Sequence, residues 1–188
     1  MTKTSRRPAA EKSILLVVDI QDKLLANMPH AVPLVRAAAF LLDVAALLDI
    51  PVRATEQYPK GLGPTAAEIA RRLPAPPVAK TAFSCCGAGT VLEELEMLQR
   101  PTVVLVGMET HVCVLQTALD LIDAGLQVVL PADALASWGD LDHATALRRL
   151  EMAGAVVTTA ESLAFEWVRD STHAQFKAVS RLVIARRG

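Results

Sequence analysis

Aromatic residues are scarce in this sequence: two Trp, one Tyr and four Phe among 188 residues. A surface that stacks successive bases needs more rings than that, so nucleic acid is not an expected partner. Charge of one sign is not in excess either. Nineteen Lys and Arg face twenty Asp and Glu, for a formal net charge of -1. No global field draws the chain to nucleic acid or to an anionic membrane. Cysteine is limited to three residues, which argues against a paired disulfide framework and for a reducing compartment. Long apolar runs are missing. The most hydrophobic stretch, 31–50, is broken by Pro33, Arg36, Asp43 and Asp49, and reads as a buried helix rather than a membrane span. Residues 1–13 are basic and polar without the apolar centre of a signal peptide, so the expected location is cytoplasmic.

Several common chemical signatures are absent too. There is no P-loop and no G-x-S-x-G nucleophile elbow. Gly87-Ala88-Gly89 opens a helical pattern, but Leu92 stands where a dinucleotide loop needs its third glycine. His30, His111, His143 and His173 are scattered without metal-ligand spacing, so neither a metal nor another cofactor is expected. Cys85 and Cys86 are adjacent, which is not the C-x-x-C spacing of a redox pair.

What the chain does have is aliphatic residues in short β-branched runs alternating with longer helical patterns. Hydrophobic residues make up 52% of it, enough for a core without disulfides or metals. Strands are expected at 14–19, 51–56, 77–80, 102–107, 127–130 and 155–158. Helices are expected at 33–48, 65–73, 89–99, 111–124, 141–153, 160–168 and 172–184. This alternation implies βαβ units and a parallel sheet covered on both faces, in one domain over 1–188 whose residues 1–12 form a flexible segment. The loops at 57–64 and 131–140 are rich in Gly, Pro and polar residues. They follow strands, so they are the expected walls of a pocket.

Three residues at strand ends are candidates for chemistry. Asp19 ends the first strand, Lys80 ends the third, and Cys113 lies at the start of the helix after the fourth. All three belong to one edge of a parallel sheet. Asp19 and Cys113 face each other only if the first strand neighbours the fourth, which the sequence does not prove. A cysteine at a helix N-terminus gains from the dipole and the unpaired N–H groups, both of which favour the thiolate. The plainer alternatives are a buried structural cysteine, a capping aspartate and a surface lysine. Glu56 ends the second strand on the same edge. His111 is two residues from Cys113, a spacing at which helix side chains do not face each other. Leu24, Gln57, Tyr58, Phe83, His111 and Trp138 are candidate pocket residues, and core or loop packing would account for each equally well.

VVDIQDKLL at 17–25, TEQYPKGLGPT at 55–65, KTAFS at 80–84 and VGMETHVCVLQTALDLIDAG at 106–125 together resemble the isochorismatase-like cysteine hydrolases. The segment HAQFK at 173–177 is most similar to the isochorismatase domain-containing subgroup. The resemblance implies a Rossmann-like α/β/α sandwich of three layers with a six-stranded parallel sheet in the order 3-2-1-4-5-6. That order places Asp19 beside Cys113. It further implies an Asp19–Lys80–Cys113 triad, a non-proline cis peptide joining Met108 to Glu109, and an oxyanion hole from the N–H groups of Glu109 and Cys113. A homo-oligomer is expected, with the helices after Leu141 as its interface. The nicotinamidase branch holds a metal with an aspartate and histidines after the second strand. Here that stretch reads Thr55-Glu56-Gln57-Tyr58, without histidine. Glu109 stands where the family often has a small residue. The expected reaction is hydrolysis of an amide or related C–N bond of a small metabolite through a thioester. The alternatives are enol-ether hydrolysis and a non-catalytic oligomeric binding protein on the same fold. A carboxylate is too weak a base for a thiol by roughly 4–5 pKa units, so the reaction is expected to need a thiol pKa depressed by Lys80 and the helix terminus.

Overall fold

The structure is a computed structural model that describes residues 7–187. Its sheet is built from β1 (Ser13–Val18), β2 (Val52–Gln57), β3 (Val78–Lys80), β4 (Thr102–Met108), β5 (Gln127–Pro131), the two-residue β6 (Leu135–Ala136) and β7 (Val156–Thr158). The helices are α1 (Asp22–Leu25), α2 (Ala31–Leu47), α3 (Pro59–Leu62), α4 (Ala67–Ala70), α5 (Val91–Met97), α6 (Leu115–Asp123), α7 (Asp140–Met152), α8 (Ala160–Val168) and α9 (Phe176–Arg187). All pairings between these strands are parallel. The order is β3-β2-β1-β4-β5-β7, which is the expected six-strand order with β7 as its sixth member. β6 is an addition. It pairs with the last two residues of β4, Gly107 with Leu135 and Met108 with Ala136.

Strand periodicity explains the layers. Along β1, Leu15 and Val17 face one way, into a core shared with α2, α8 and α9. Ile14, Leu16 and Val18 face the other way, into a core shared with α5, α6 and α7. Every residue of β1 and β4 is buried. This is why both read as continuous apolar runs instead of alternating ones. In α2, Pro33 sits in the first turn, where no intrahelical N–H is required, and Ala, Leu and Val fill the buried face. The indole of Trp167 in α8 donates to the Ser13 hydroxyl at 3.0 Å, fixing that helix against the start of β1.

Some expectations change in detail. The helix expected over 65–73 shrinks to α4, and the pocket loop at 57–64 contains the short α3 opened by Pro59. The last helix begins at Phe176 rather than 172 because Asp170 holds the preceding residues in a turn, accepting from the Thr172 N–H at 2.7 Å. The helix expected from 111 begins instead with a wide π turn, Thr110–Val114, before α6. Of the flexible segment expected over 1–12, residues 1–6 lie outside the described residues. Ala10–Lys12 form one turn of 3₁₀ helix, with Arg100 donating to the Ala10 carbonyl at 3.1 Å.

Candidate active site

β1, β3 and the π turn after β4 bring Asp19, Lys80 and Cys113 together at the C-terminal edge of the sheet. β1 pairs with β4 through Val18 and Gly107, which sets Asp19 level with the residues leading to Cys113. The approach there is close. A Cβ on Gly107 would lie 2.0 Å from the Val18 carbonyl oxygen, and its φ of 131° is open to glycine. Asp19 itself has φ 51°, in the left-handed region, which turns the chain away at the end of β1. The Met108–Glu109 peptide is cis.

The Asp19 and Lys80 side chains have no solvent exposure and meet at 2.7 Å, Nζ to Oδ2. Lys80 is not the surface lysine that its sequence position allows. Its Nζ also lies 2.7 Å from Gln57 Oε1, 2.9 Å from the Phe83 carbonyl and 3.3 Å from the Ala82 carbonyl. An ammonium has three N–H bonds, so four oxygens use all of its donor capacity. The other Asp19 oxygen, Oδ1, accepts from the Thr55 hydroxyl at 2.8 Å. A buried charge is tolerable only when paired and hydrogen-bonded, and this one is both.

Cys113 is buried, at the sheet edge where its thiol feels the charges of Asp19 and Lys80. The thiol pKa runs opposite to expectation. Burial first, and the Asp19 charge second, push it up to about 12, against a smaller lowering by Lys80. The expected net depression does not occur, because burial and the Asp19 charge together outweigh the lowering by Lys80. The resting site therefore holds a neutral thiol beside a carboxylate, and proton transfer has to accompany attack on a substrate.

The candidate pocket residues fall into distinct positions. Gln57 turns inward to Lys80, and its Nε2 donates to the Thr81 carbonyl at 2.8 Å. Tyr58 is 55% exposed, with its ring against Gly61 and its N–H donating to the Lys80 carbonyl at 2.8 Å. Phe83 is 52% exposed on the loop whose carbonyl holds Lys80. Trp138 is 67% exposed, and its N–H donates to Glu109 Oε2 at 3.0 Å. His111 Nδ1 meets the Ser137 hydroxyl at 3.0 Å and does not turn to Cys113. Leu24 packs against the hydrophobic core beside α2. Glu109 and His111 thus tie the π turn to the loop carrying Trp138. A cleft of about 410 Å³ beside that loop is lined by His30, Leu34, Ser137 and His143 among others. A larger one, about 500 Å³, lies between α2 and α9 and touches none of the three central residues. Among the described residues no group of three or more His, Cys, Asp or Glu is placed to hold a metal ion.

Sequence reasoning missed Thr55, Thr117 and Gln21. Thr55 is buried at the point where β2 pairs with Val18. Thr117 accepts from the Cys85 N–H at 2.9 Å and donates to the Cys113 carbonyl at 2.6 Å. Gln21 accepts from the Gln57 N–H at 2.8 Å and donates to the Gly63 carbonyl at 2.7 Å, clamping the 57–63 loop. The one available signal was two polar residues, Thr55 and Gln21, next to apolar strand ends.

Comparison with known proteins agrees with this architecture. Residues 13–162 match the model of the isochorismatase domain. The chain is 42% identical over 174 residues to isochorismatase domain-containing protein 2A of Mus musculus, covering 92% of this chain and 83% of that one. Among solved structures it resembles the MAR1 ribonuclease of Caenorhabditis elegans, with TM-score 0.88 and 38% identity over 95% of this chain and 92% of that one. It also shares the fold of YcaC of Escherichia coli, described as an octameric hydrolase of unknown specificity, with TM-score 0.83 and 23% identity over 99% and 98% of the two chains. The chain belongs to the isochorismatase-like hydrolase family.

Proposed function

We propose that this protein is a cysteine hydrolase that opens an amide or related C–N bond of a small, uncharged metabolite in the cytoplasm. The observation that carries the reading is the fully buried Asp19–Lys80 ion pair at the sheet edge where β4, paired with β1, leads to the buried Cys113. Asp19 takes the thiol proton as Cys113 Sγ bonds to the carbonyl carbon, and the C=O electron pair moves to oxygen. The N–H groups of Glu109 and Cys113 receive that oxyanion. Collapse breaks the C–N bond, the leaving nitrogen takes the proton from Asp19, and a thioester remains. Asp19 then accepts a proton from water as it attacks the thioester, and returns that proton to the departing sulfur.

An uncharged substrate follows from Lys80. Its N–H groups are committed to four oxygens, so it brings no free donor to a carboxylate or a phosphodiester. This weighs against the dianionic enol ether of a true isochorismatase and against RNA cleavage. We further propose a homo-oligomer, joined through the helices after Leu141.

The test is ammonia or amine release from a panel of neutral amides, with an anionic enol ether and an RNA oligonucleotide as parallel substrates. Turnover of an amide that disappears in Cys113→Ala, with an acyl adduct on Cys113 in mass spectra of the quenched reaction, is the expected result. Amide turnover that survives in Cys113→Ala overturns the covalent mechanism. Turnover confined to the enol ether or the RNA overturns the substrate class.

A further inference from the structure

Cys85 is fully buried, chemically reactive in principle, and unused by the mechanism above. Its Sγ lies 3.5 Å from the Thr55 hydroxyl oxygen. Donor accounting fixes the direction of that contact. Thr55 has one hydroxyl hydrogen, and it goes to Asp19 Oδ1 at 2.8 Å. The Cys85 thiol is therefore the donor to Thr55. A chain of two hydrogen bonds runs from Cys85 through Thr55 to the carboxylate.

The same cysteine is tied to the opposite side of the site. Its N–H donates to Thr117 Oγ1 at 2.9 Å, and Thr117 donates to the Cys113 carbonyl at 2.6 Å. The 3₁₀ turn Cys85–Gly87 is thus linked through Thr55 to the base and through Thr117 to the backbone that carries the nucleophile. Asp19 has torsional freedom about its carboxyl group, and one donor alone does not fix its plane. Lys80 holds Oδ2 from β3, and Thr55 holds Oδ1 from β2. Two donors on two oxygens, from two strands, do fix it.

We propose that Thr55, supported by Cys85, is the positioning residue that sets the plane of the Asp19 carboxylate toward the Cys113 thiol. The proposal rests on the catalytic reading above for its kinetic part. Its second part needs no substrate. Burial comes first in setting the state of the Cys113 thiol, and three groups follow: Asp19 at the end of β1, Lys80 at the end of β3, and Cys85 in the turn after β3. Asp19 disfavours the thiolate chiefly through its charge. A carboxylate no longer held by Thr55 is free to turn that charge away from the thiol, so the thiolate forms at lower pH.

The experiment compares wild type with Thr55→Val, Thr55→Ser, Cys85→Ala and Cys85→Ser. Iodoacetamide labelling of Cys113 is followed against pH, with half-buried Cys86 as the internal control. In Thr55→Val the labelling midpoint of Cys113 falls, while Cys86 is unchanged. On an amide that wild type turns over, kcat falls about 10- to 100-fold with KM within twofold. Thr55→Ser restores both readouts toward wild type. Cys85→Ala moves them the same way by less, and Cys85→Ser, which keeps a donor, moves them least. An unchanged Cys113 midpoint in Thr55→Val overturns the proposal. So does a parallel rise in Cys86 labelling, which reports general loosening, or a failure of Thr55→Ser to rescue. If wild type cleaves no amide while the labelling shifts appear, the function fails and the positioning stands.

Discussion

At the scale of single residues, the site is a compromise between a buried charge and a buried proton. Cys113 has an ordinary value of 9.0 pushed up to about 12, mainly by burial and then by Asp19. The sign has a direct consequence for stability. The unfolded chain releases this proton near pH 9 and the folded one only near pH 12, so above pH 9 the unfolded state binds fewer protons. Folding free energy therefore declines as pH rises through that window, and Cys86, pushed up to about 11 by burial, adds to the decline. Urea unfolding at several alkaline pH values is expected to show the loss, and Cys113→Ala to show a shallower one. The ion pair gives a second prediction. Lys80→Met strands a carboxylate with no solvent exposure, at a cost of about 3–5 kcal/mol. Asp19→Asn combined with Lys80→Met removes the charge as well as its partner, so the double variant loses clearly less than the sum of the two single losses in a double-mutant cycle. Additive losses in that cycle would show the pair to be energetically unconnected.

At the scale of elements, the chemistry depends on how close β1 and β4 run at their C-terminal ends. Gly107→Ala puts a Cβ 2.0 Å from the carbonyl oxygen of Val18, the residue before Asp19, at a φ of 131°. Loss of stability on the order of 4 kcal/mol, or failure to fold, is expected in chemical denaturation. An alanine variant of wild-type stability would mean that the strands separate there at no cost. The same closeness shows what the sequence could and could not reveal. The strand-end positions of Asp19 and Cys113 were legible from the buried apolar runs of β1 and β4 and that of Lys80 from the short β3, whereas their assembly came from the strand order that the resemblance implies. Thr55 was not, because its place beside Asp19 comes from the register of β2 on β1, which pairs Val18 with Thr55 across 37 positions of chain. The π turn at Thr110–Val114 was hidden for a related reason. Its N–H groups from Val112 and Val114 converge on the single Glu109 carbonyl, at 3.1 and 3.2 Å, in a geometry no residue type announces. The direction of the thiol shift was misread because burial is a tertiary property, whereas a helix terminus is a local one.

At the scale of the whole molecule, the candidate site and the proposed association surface meet at α7, whose His143 Nδ1 lies 2.9 Å from the Thr110 hydroxyl in the turn that carries Cys113. Tyr58, Phe83 and Trp138 are all exposed on loops at the C-terminal edge of the sheet. On its solvent-facing side, α7 presents Leu141 and Met152, each 80% exposed. They are eleven positions apart, about three helical turns, and so lie on one face. A formal charge of -1 sets little repulsion between copies. Two exposed apolar anchors on one helix face suit the centre of an interface whose remaining area comes from neighbouring polar residues. Light scattering at micromolar concentration is expected to give a multiple of the single-chain mass. The double variant Leu141→Glu, Met152→Glu puts two carboxylates per copy where two apolar side chains were desolvated, so it is expected to dissociate to single chains. The pH profile of Cys113 labelling distinguishes two cases after dissociation. A profile that stays at its wild-type midpoint means each copy carries a self-sufficient site. A profile that moves means the assembly holds the loops around the site in place. A wild-type protein that scatters as a monomer removes the interface itself.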